Sequence, residues 1–381
     1  MGDMMAEMMQ GLLGGGIWSM PMVQTVIFPA SARDPAHLGA TSGPIRDGTI
    51  EVAPDVVVGY RAYVADEGSD KCAVHFHGNA EVCGDADDAA RVFHAAGFNL
   101  VSVDYRGYGW STGSAGVTLL TGDAERVLDF ILAGRVPGIA ADAKIVAWGR
   151  SIGAMSAVHL AAYKAAYLMR ILELPLYVVM YRYRPARVAG LIVDSGLMAI
   201  ASLPMVRQLA ESFMGPSGRE TLKTLADPTA APFGATTLAK AATVGCPALV
   251  VHGDNDEIVP ARQGAQCYEA IGSRSKRLEA LPNCGHNDVF LVHGPKWTAA
   301  VSALLADAAA ADASHPARCT VETEGLSAAA FNGKAGTVVG PARAKDAADP
   351  PRARVKFDDA ALGEKALKLA NLRVVAREPF L

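Results

Sequence analysis

This sequence predicts an α/β fold, with a mainly parallel sheet covered by helices on both faces and a small β-barrel-like unit after it. Three observations carry the expectation. Short apolar runs alternate with helix-like stretches through most of the chain. Each run ends in glycine and polar residues, as buried parallel strands do where their C-terminal ends line a site. The run Lys144–Trp148 leads directly into Gly149-Arg150-Ser151-Ile152-Gly153, and a stretch of small and straight-chain residues with helical character follows.

Residues 1–44 read as an N-terminal extension. Met4, Met5, Met8, Met9, Leu12 and Leu13 share helical spacing up to the break at Gly14–Gly16, which gives a short helix docked on the body. Thr49–Ala65 alternates and is rich in Val and Tyr, as antiparallel edge strands are. The apolar run Cys72–Phe76 ends in His77-Gly78-Asn79-Ala80, and a helical stretch over 85–96 follows. Strand 99–103 ends in Asp104-Tyr105-Arg106-Gly107-Tyr108-Gly109-Trp110-Ser111, and 117–132 reads as the helix before the Ser151 strand. Residues 163–187 exceed an ordinary connection and read as an elongated helix packed on the body, with a basic-rimmed membrane-facing patch as the alternative.

Strand 188–193 ends in Asp194-Ser195-Gly196, strand 247–251 in His252-Gly253-Asp254-Asn255-Asp256, and strand 276–280 leads to Asn283-Cys284-Gly285-His286-Asn287-Asp288. Residues 197–242 leave the sheet at the same edge and are placed to form a cap, with filling of the core as the alternative. Leu203, Met205, Val206, Leu209, Phe213 and Met214 stand there at roughly helical spacing before the break Gly215-Pro216. A helix over 296–311 closes the main domain, which spans 45–312. Beyond an Ala/Asp-rich junction, Val-rich pieces at 336–339, 352–357 and 372–375 make 318–377 a separate small β unit.

Composition narrows the function classes. The 381 residues are 51% hydrophobic and 19% charged with a net charge of -4, which gives no reason to expect nucleic acid. Six scattered cysteines form no C-x-x-C pair, so free thiols in a reducing compartment are expected. The first residues are acidic where a signal peptide would be basic, and no uninterrupted apolar run approaches a membrane span. A cytoplasmic protein is expected, with peripheral membrane contact as an added expectation. No metal-ligand spacing and no phosphate loop is present, so neither a metal nor a cofactor is expected.

The chemistry sits at the strand ends. Strand, sharp turn and helix around Ser151 are the context a nucleophilic serine needs, and Gly149 and Gly153 stand where a Cβ would collide with neighbouring backbone. Acyl transfer also needs a base, a carboxylate to orient it and donors for the oxyanion. Asp256 and then His286 follow Ser151, each beyond a strand that ends on the same edge.

Five segments, at 77–80, 104–111, 149–153, 252–260 and 285–288, resemble the α/β-hydrolase superfamily, in its serine-aminopeptidase-like and depalmitoylase-like branch. The resemblance covers roughly residues 45–305. It implies Ser151 as nucleophile, Asp256 as acid, His286 as base, and the backbone N–H groups of Asn79 and Ile152 as oxyanion donors. The last unit, around residues 331–338 and 365–372, resembles an SH3-like barrel and is expected to bind a protein partner. The chain departs from the branch in the 163–187 insertion, in that last unit, and in lacking the cysteine-rich N-terminus of the depalmitoylases.

Each role has a competitor. Asp254 competes with Asp256, and His252, His75, His77 and His293 compete with His286. Cys83 and Cys284 lie near the site. Asp104 and Arg106 are expected to hold their loop by pairing with each other. The function expected is a serine hydrolase acting on a small-molecule acyl ester or other acylated substrate. A peptidase or amidase on the same triad, and a non-catalytic binding module of the same fold, are its alternatives.

Overall fold

The computed structural model describes residues 27–28, 45–162, 188–200, 203–215, 234–310, 319–323, 335–341, 352–357, 361, 364–368 and 372–377. The N-terminal helix and the 163–187 segment read from the sequence lie outside them, as does the part of the Ala/Asp junction beyond Ala310.

Eight strands form one sheet: β1 (Ile45–Ala53), β2 (Val56–Tyr63), β3 (Lys71–Phe76), β4 (Asn99–Val103), β5 (Lys144–Arg150), β6 (Val188–Asp194), β7 (Ala248–Gly253) and β8 (Lys276–Leu281). Their order is β1-β2-β4-β3-β5-β6-β7-β8. The edge hairpin β1–β2 and the β2–β4 pair are antiparallel; every other pairing is parallel. This is the α/β-hydrolase fold expected from the sequence.

The described helices are α1 (Asp87–Ala95), α2 (Leu120–Leu132), α3 (Ser151–Ala162), α4 (Pro204–Met214), α5 (Gly234–Ala241), α6 (Arg262–Ala270) and α7 (Val289–Ala310). Side chains alternate across a strand, and that alternation divides the core. Ile145 and Ala147 of β5 and Leu191 and Val193 of β6 join α2, α3 and α6 on one face. Val146, Trp148 and Ile192 join α1 and α7 on the other. The register sets Phe76 opposite Gly149, Gly149 opposite Val193, and Asp194 opposite Val251. The C-terminal ends of β3, β5, β6 and β7 therefore lie abreast, and the loops leaving them meet at one edge.

Helix α7 begins earlier than the sequence reading placed it. Pro295 lacks an N–H and disfavours the preceding turn, yet the chain coils through it with a kink at His293 (φ -121°, ψ 23°). By length and composition α7 could cross a membrane, contrary to expectation. Trp297, Val301, Leu304, Leu305 and Ala308 are buried in the core, while Phe290, Leu291 and Val292 near its start are exposed.

Helix α4 lies in the segment expected as a cap. Pro204 opens it and Gly215, at φ +59°, closes it. Leu203 and Val206 pack into a cluster with Ile152, Met155 and Leu197 at the catalytic edge. The side chains of Met205, Leu209, Phe213 and Met214 lie outside the description.

A second sheet comprises β9 (Cys319–Thr323), β10 (Ala335–Pro341), β11 (Arg352–Phe357), β12 (Glu364–Lys368) and β13 (Leu372–Arg377). It is antiparallel throughout, in the order β12-β11-β10-β9-β13.

Candidate active site

Strand β5 reaches Arg150 in extended conformation, and Ser151 then turns to φ +52° to start α3. A left-handed non-glycine residue costs about 1–2 kcal/mol, so surrounding contacts must hold it. A Cβ on Gly153 would stand 2.0 Å from the Phe76 carbonyl oxygen of β3, and one on Gly149 would stand 2.5 Å from the Gly153 carbonyl oxygen. No side chain fits at either place, and the turn closes tightly enough to present the Ser151 hydroxyl at the sheet edge.

The loop after β8 delivers His286 to that hydroxyl. Its Nε2 lies 3.0 Å from Ser151 Oγ and its Nδ1 lies 2.7 Å from Asp256 Oδ2. All three residues are buried. A proton on Nδ1, donated to the carboxylate, leaves Nε2 free to accept one from serine.

Asp256 is itself over-determined. Its Oδ1 accepts the N–H groups of Ile258 (3.0 Å) and Val259 (2.7 Å), and His252 Nε2 stands 3.3 Å from Oδ2. Burial opposes its charge, but hydrogen bonds from His252, His286 and Val259 outweigh that and hold the carboxyl well below the usual carboxylate range. Asp254, the competitor, is exposed.

The other competing residues have different surroundings. His75 is buried, stacked on Trp148 with ring centroids 3.7 Å apart, and hydrogen-bonded through Nδ1 to Ser102 Oγ at 2.9 Å. Burial, with His77 and Arg150 nearby, drives its pKa well below the ordinary value. His293 hydrogen-bonds the Pro282 carbonyl at 2.9 Å and sits at the α7 kink. His252 hydrogen-bonds the Val259 carbonyl at 2.9 Å. Cys83 and Cys284 are buried, and desolvation pushes both thiols up, away from the nucleophilic thiolate.

The expected Asp104–Arg106 pair does not form. Arg106 turns outward to grip Asp123 of α2 through two hydrogen bonds, at 2.8 and 2.6 Å. Asp104 turns inward, accepts the Cys83 N–H at 2.7 Å and faces His77 Nε2 at 3.3 Å. Burial opposes charge on His77, yet Asp104 and the Gly78 carbonyl, 2.7 Å from Nδ1, raise its pKa. A group whose folded pKa is raised contributes stability that is complete below its unfolded value of about 6.5 and lost as pH rises through the folded value. The melting temperature of the parent should therefore fall more steeply from about pH 6 to pH 9 than that of Asp104→Asn. Equal slopes would show that this pair does not stabilise the fold through its charge.

The residues expected as oxyanion donors come from two elements, the start of α3 and the loop after β3. Ile152 is at the start of α3, where N–H groups lack intrahelical partners. Asn79 follows the end of β3, and its side chain is engaged, accepting the Tyr108 hydroxyl at 2.8 Å and donating to the Ile27 carbonyl. Sequence reasoning missed a further network. Arg150 donates to Glu81, to the His286 carbonyl (3.1 Å) and to Asn287 Oδ1 (3.0 Å). Glu81 stands beside the segment 77–80 and Arg150 within the segment 149–153, but nothing in the spacing pairs them. Among the described residues, no group of three or more His, Cys, Asp or Glu side chains could hold a metal ion.

The profile of the family described as serine aminopeptidase, S33, matches residues 68–290. Protein bem46 of Schizosaccharomyces pombe is 26% identical over 234 residues, which cover 58% of this chain and 63% of bem46. The lysophosphatidylserine lipase ABHD12 of Xenopus tropicalis is 26% identical over 233 residues, covering 58% of this chain and 54% of the lipase. Both matches thus span less than two thirds of the relative. In structure the chain is similar to esterase Pf2001 of Pyrococcus furiosus, with a TM-score of 0.50 and 17% identity over 71% of this chain and 94% of that one. Identity that low speaks for the fold alone.

Proposed function

The chain belongs to the serine aminopeptidase S33 family of hydrolases, and from that premise we propose that it cleaves carboxylic esters or thioesters through an acyl-serine intermediate. One observation carries the reading: a single buried imidazole, that of His286, touches both Ser151 Oγ and Asp256 Oδ2. His286 Nε2 takes the hydroxyl proton as Ser151 Oγ bonds to the acyl carbon, and Asp256 holds the tautomer and the imidazolium that forms. The oxyanion faces the N–H groups of Asn79 and Ile152. Collapse breaks the bond to the leaving oxygen or sulfur, which receives the proton from His286. Water, deprotonated by the same nitrogen, then bonds to the acyl carbon, the bond to Ser151 Oγ breaks, and His286 returns the proton to that oxygen as the acid leaves.

The lipase named among the relatives supports an ester, whereas the family's description favours a peptidase on the same triad. The C-terminal sheet is read as an SH3-like unit that docks a protein partner. Its last strand lies beside its first and β10 carries a bulge near Val338, which supports that reading.

A fluorophosphonate probe should label the protein once, and peptide mapping should find the adduct on Ser151. The protein should turn over p-nitrophenyl butyrate faster than aminoacyl p-nitroanilides. An adduct elsewhere would overturn the triad assignment, and faster anilide cleavage would favour the peptidase.

A further inference from the structure

We infer that Glu81 and Arg150 form a positioning clamp that sets the oxyanion loop and the base loop against the nucleophile, an inference that rests on the serine-hydrolase reading above. Arg150 is the last residue of β5, next to Ser151. Its Nη1 donates to Glu81 Oε1, while Nη2 donates to the carbonyl of His286 itself and to Asn287 Oδ1. The other Glu81 oxygen, Oε2, accepts the Gly78 N–H at 2.6 Å. One ion pair thus ties together the three loops that carry the oxyanion donor, the nucleophile and the base.

The connection reaches the peptide that matters. The Gly78 carbonyl accepts from the Glu81 N–H (3.3 Å) and lies 2.7 Å from His77 Nδ1. In a trans peptide the Asn79 N–H points opposite to that carbonyl, so holding Glu81 in place aims the oxyanion donor. A Cβ at Gly78 would stand 2.6 Å from Arg150 Nη1 and 3.0 Å from the Glu81 carboxyl carbon, so only glycine leaves room for the pair. A planar guanidinium can serve several acceptors at once where a lysine ammonium cannot keep the same fork. Exposed ion pairs contribute little to stability. This one, with side chains 17% and 23% exposed, is spent on backbone groups of the reacting loops.

The test uses the full chain carrying Glu81→Gln, Arg150→Met, Arg150→Lys or the double substitution Glu81→Gln with Arg150→Met, with Ser151→Ala in parallel. Turnover of p-nitrophenyl butyrate, inhibition by an alkyl boronic acid that mimics the tetrahedral adduct, and melting temperature are measured on each. A misplaced oxyanion donor or base costs about 10–100-fold, so kcat should fall by that factor while KM stays within about threefold. The boronate inhibition constant should rise in parallel, because it senses the transition-state geometry and substrate binding does not. The double variant should lose no more than its worse single, since both remove one device.

Glu81→Gln keeps an acceptor for the Gly78 N–H and decides the matter should Arg150→Met not fold. Unchanged kcat in well-folded variants, losses that multiply in the double, or a kcat loss with unchanged boronate affinity would overturn the clamp alone. Turnover that survives in Ser151→Ala would overturn the clamp together with the reading beneath it.

Discussion

Ser151→Ala should lower p-nitrophenyl ester turnover by about 10⁶-fold, as loss of a triad serine does when base and acid have nothing left to activate. The fold should survive. Ser151 Oγ contributes one hydrogen bond, to His286, and the turn is held by Gly149, Gly153 and the strand register rather than by the hydroxyl. A second substitution separates chemistry from strain. Ser151→Gly removes the same oxygen and also relieves the left-handed backbone at φ +52°. It should be as inactive as Ser151→Ala and melt at a higher temperature. Turnover near that of the parent in either variant would end the serine-hydrolase reading; equal melting temperatures would show that the elbow stores no strain.

Much of this arrangement was legible because parallel strands advertise themselves. β3, β5, β6 and β7 are short apolar runs with a glycine within two residues of each C-terminal end, so both the sheet and its functional edge could be read directly. Ser151, Asp256 and His286 were on offer from their places after such runs, but Asp254 follows the same run as Asp256, and it was the family resemblance that chose between them. What stayed hidden depends on contacts far along the chain. Glu81 and Arg150 are 69 residues apart, and only the folded edge brings them together. Asp104 and Arg106 looked like partners because they are neighbours, but the turn sends one under the oxyanion loop and the other to α2. β9 and β12, reading Cys-Thr-Val-Glu-Thr and Glu-Lys-Ala-Leu-Lys, lack a long apolar run, and their pairing with β10, β13 and β11 defines them. The start of α7 was obscured for the opposite reason: Pro295 signals a break that the kink at His293 absorbs.

Asp256→Asn should lower kcat by about 10⁴-fold, through the wrong tautomer of His286 rather than through lost binding. The local geometry forces that outcome. Asp256 Oδ1 is claimed by the N–H groups of Ile258 and Val259, so the one carbonyl oxygen of an asparagine would stay there. Its amide NH₂ would then face His286 Nδ1, where the carboxylate had accepted a proton. To accept from that amide, Nδ1 must give up its own proton, and the proton moves to Nε2, where it blocks the transfer from Ser151. His252 cannot restore the balance, because its Nε2 also serves the Val259 carbonyl. KM should change little, since nothing that holds substrate has moved. Asp254→Asn, on an exposed side chain, should stay within a few-fold of the parent. Steady-state kinetics on one soluble ester, with melting curves to confirm folding, measure both. If Asp254→Asn proved the more damaging, the acid would belong one turn earlier in the loop, and the 2.7 Å contact between Asp256 and His286 would have no part in catalysis.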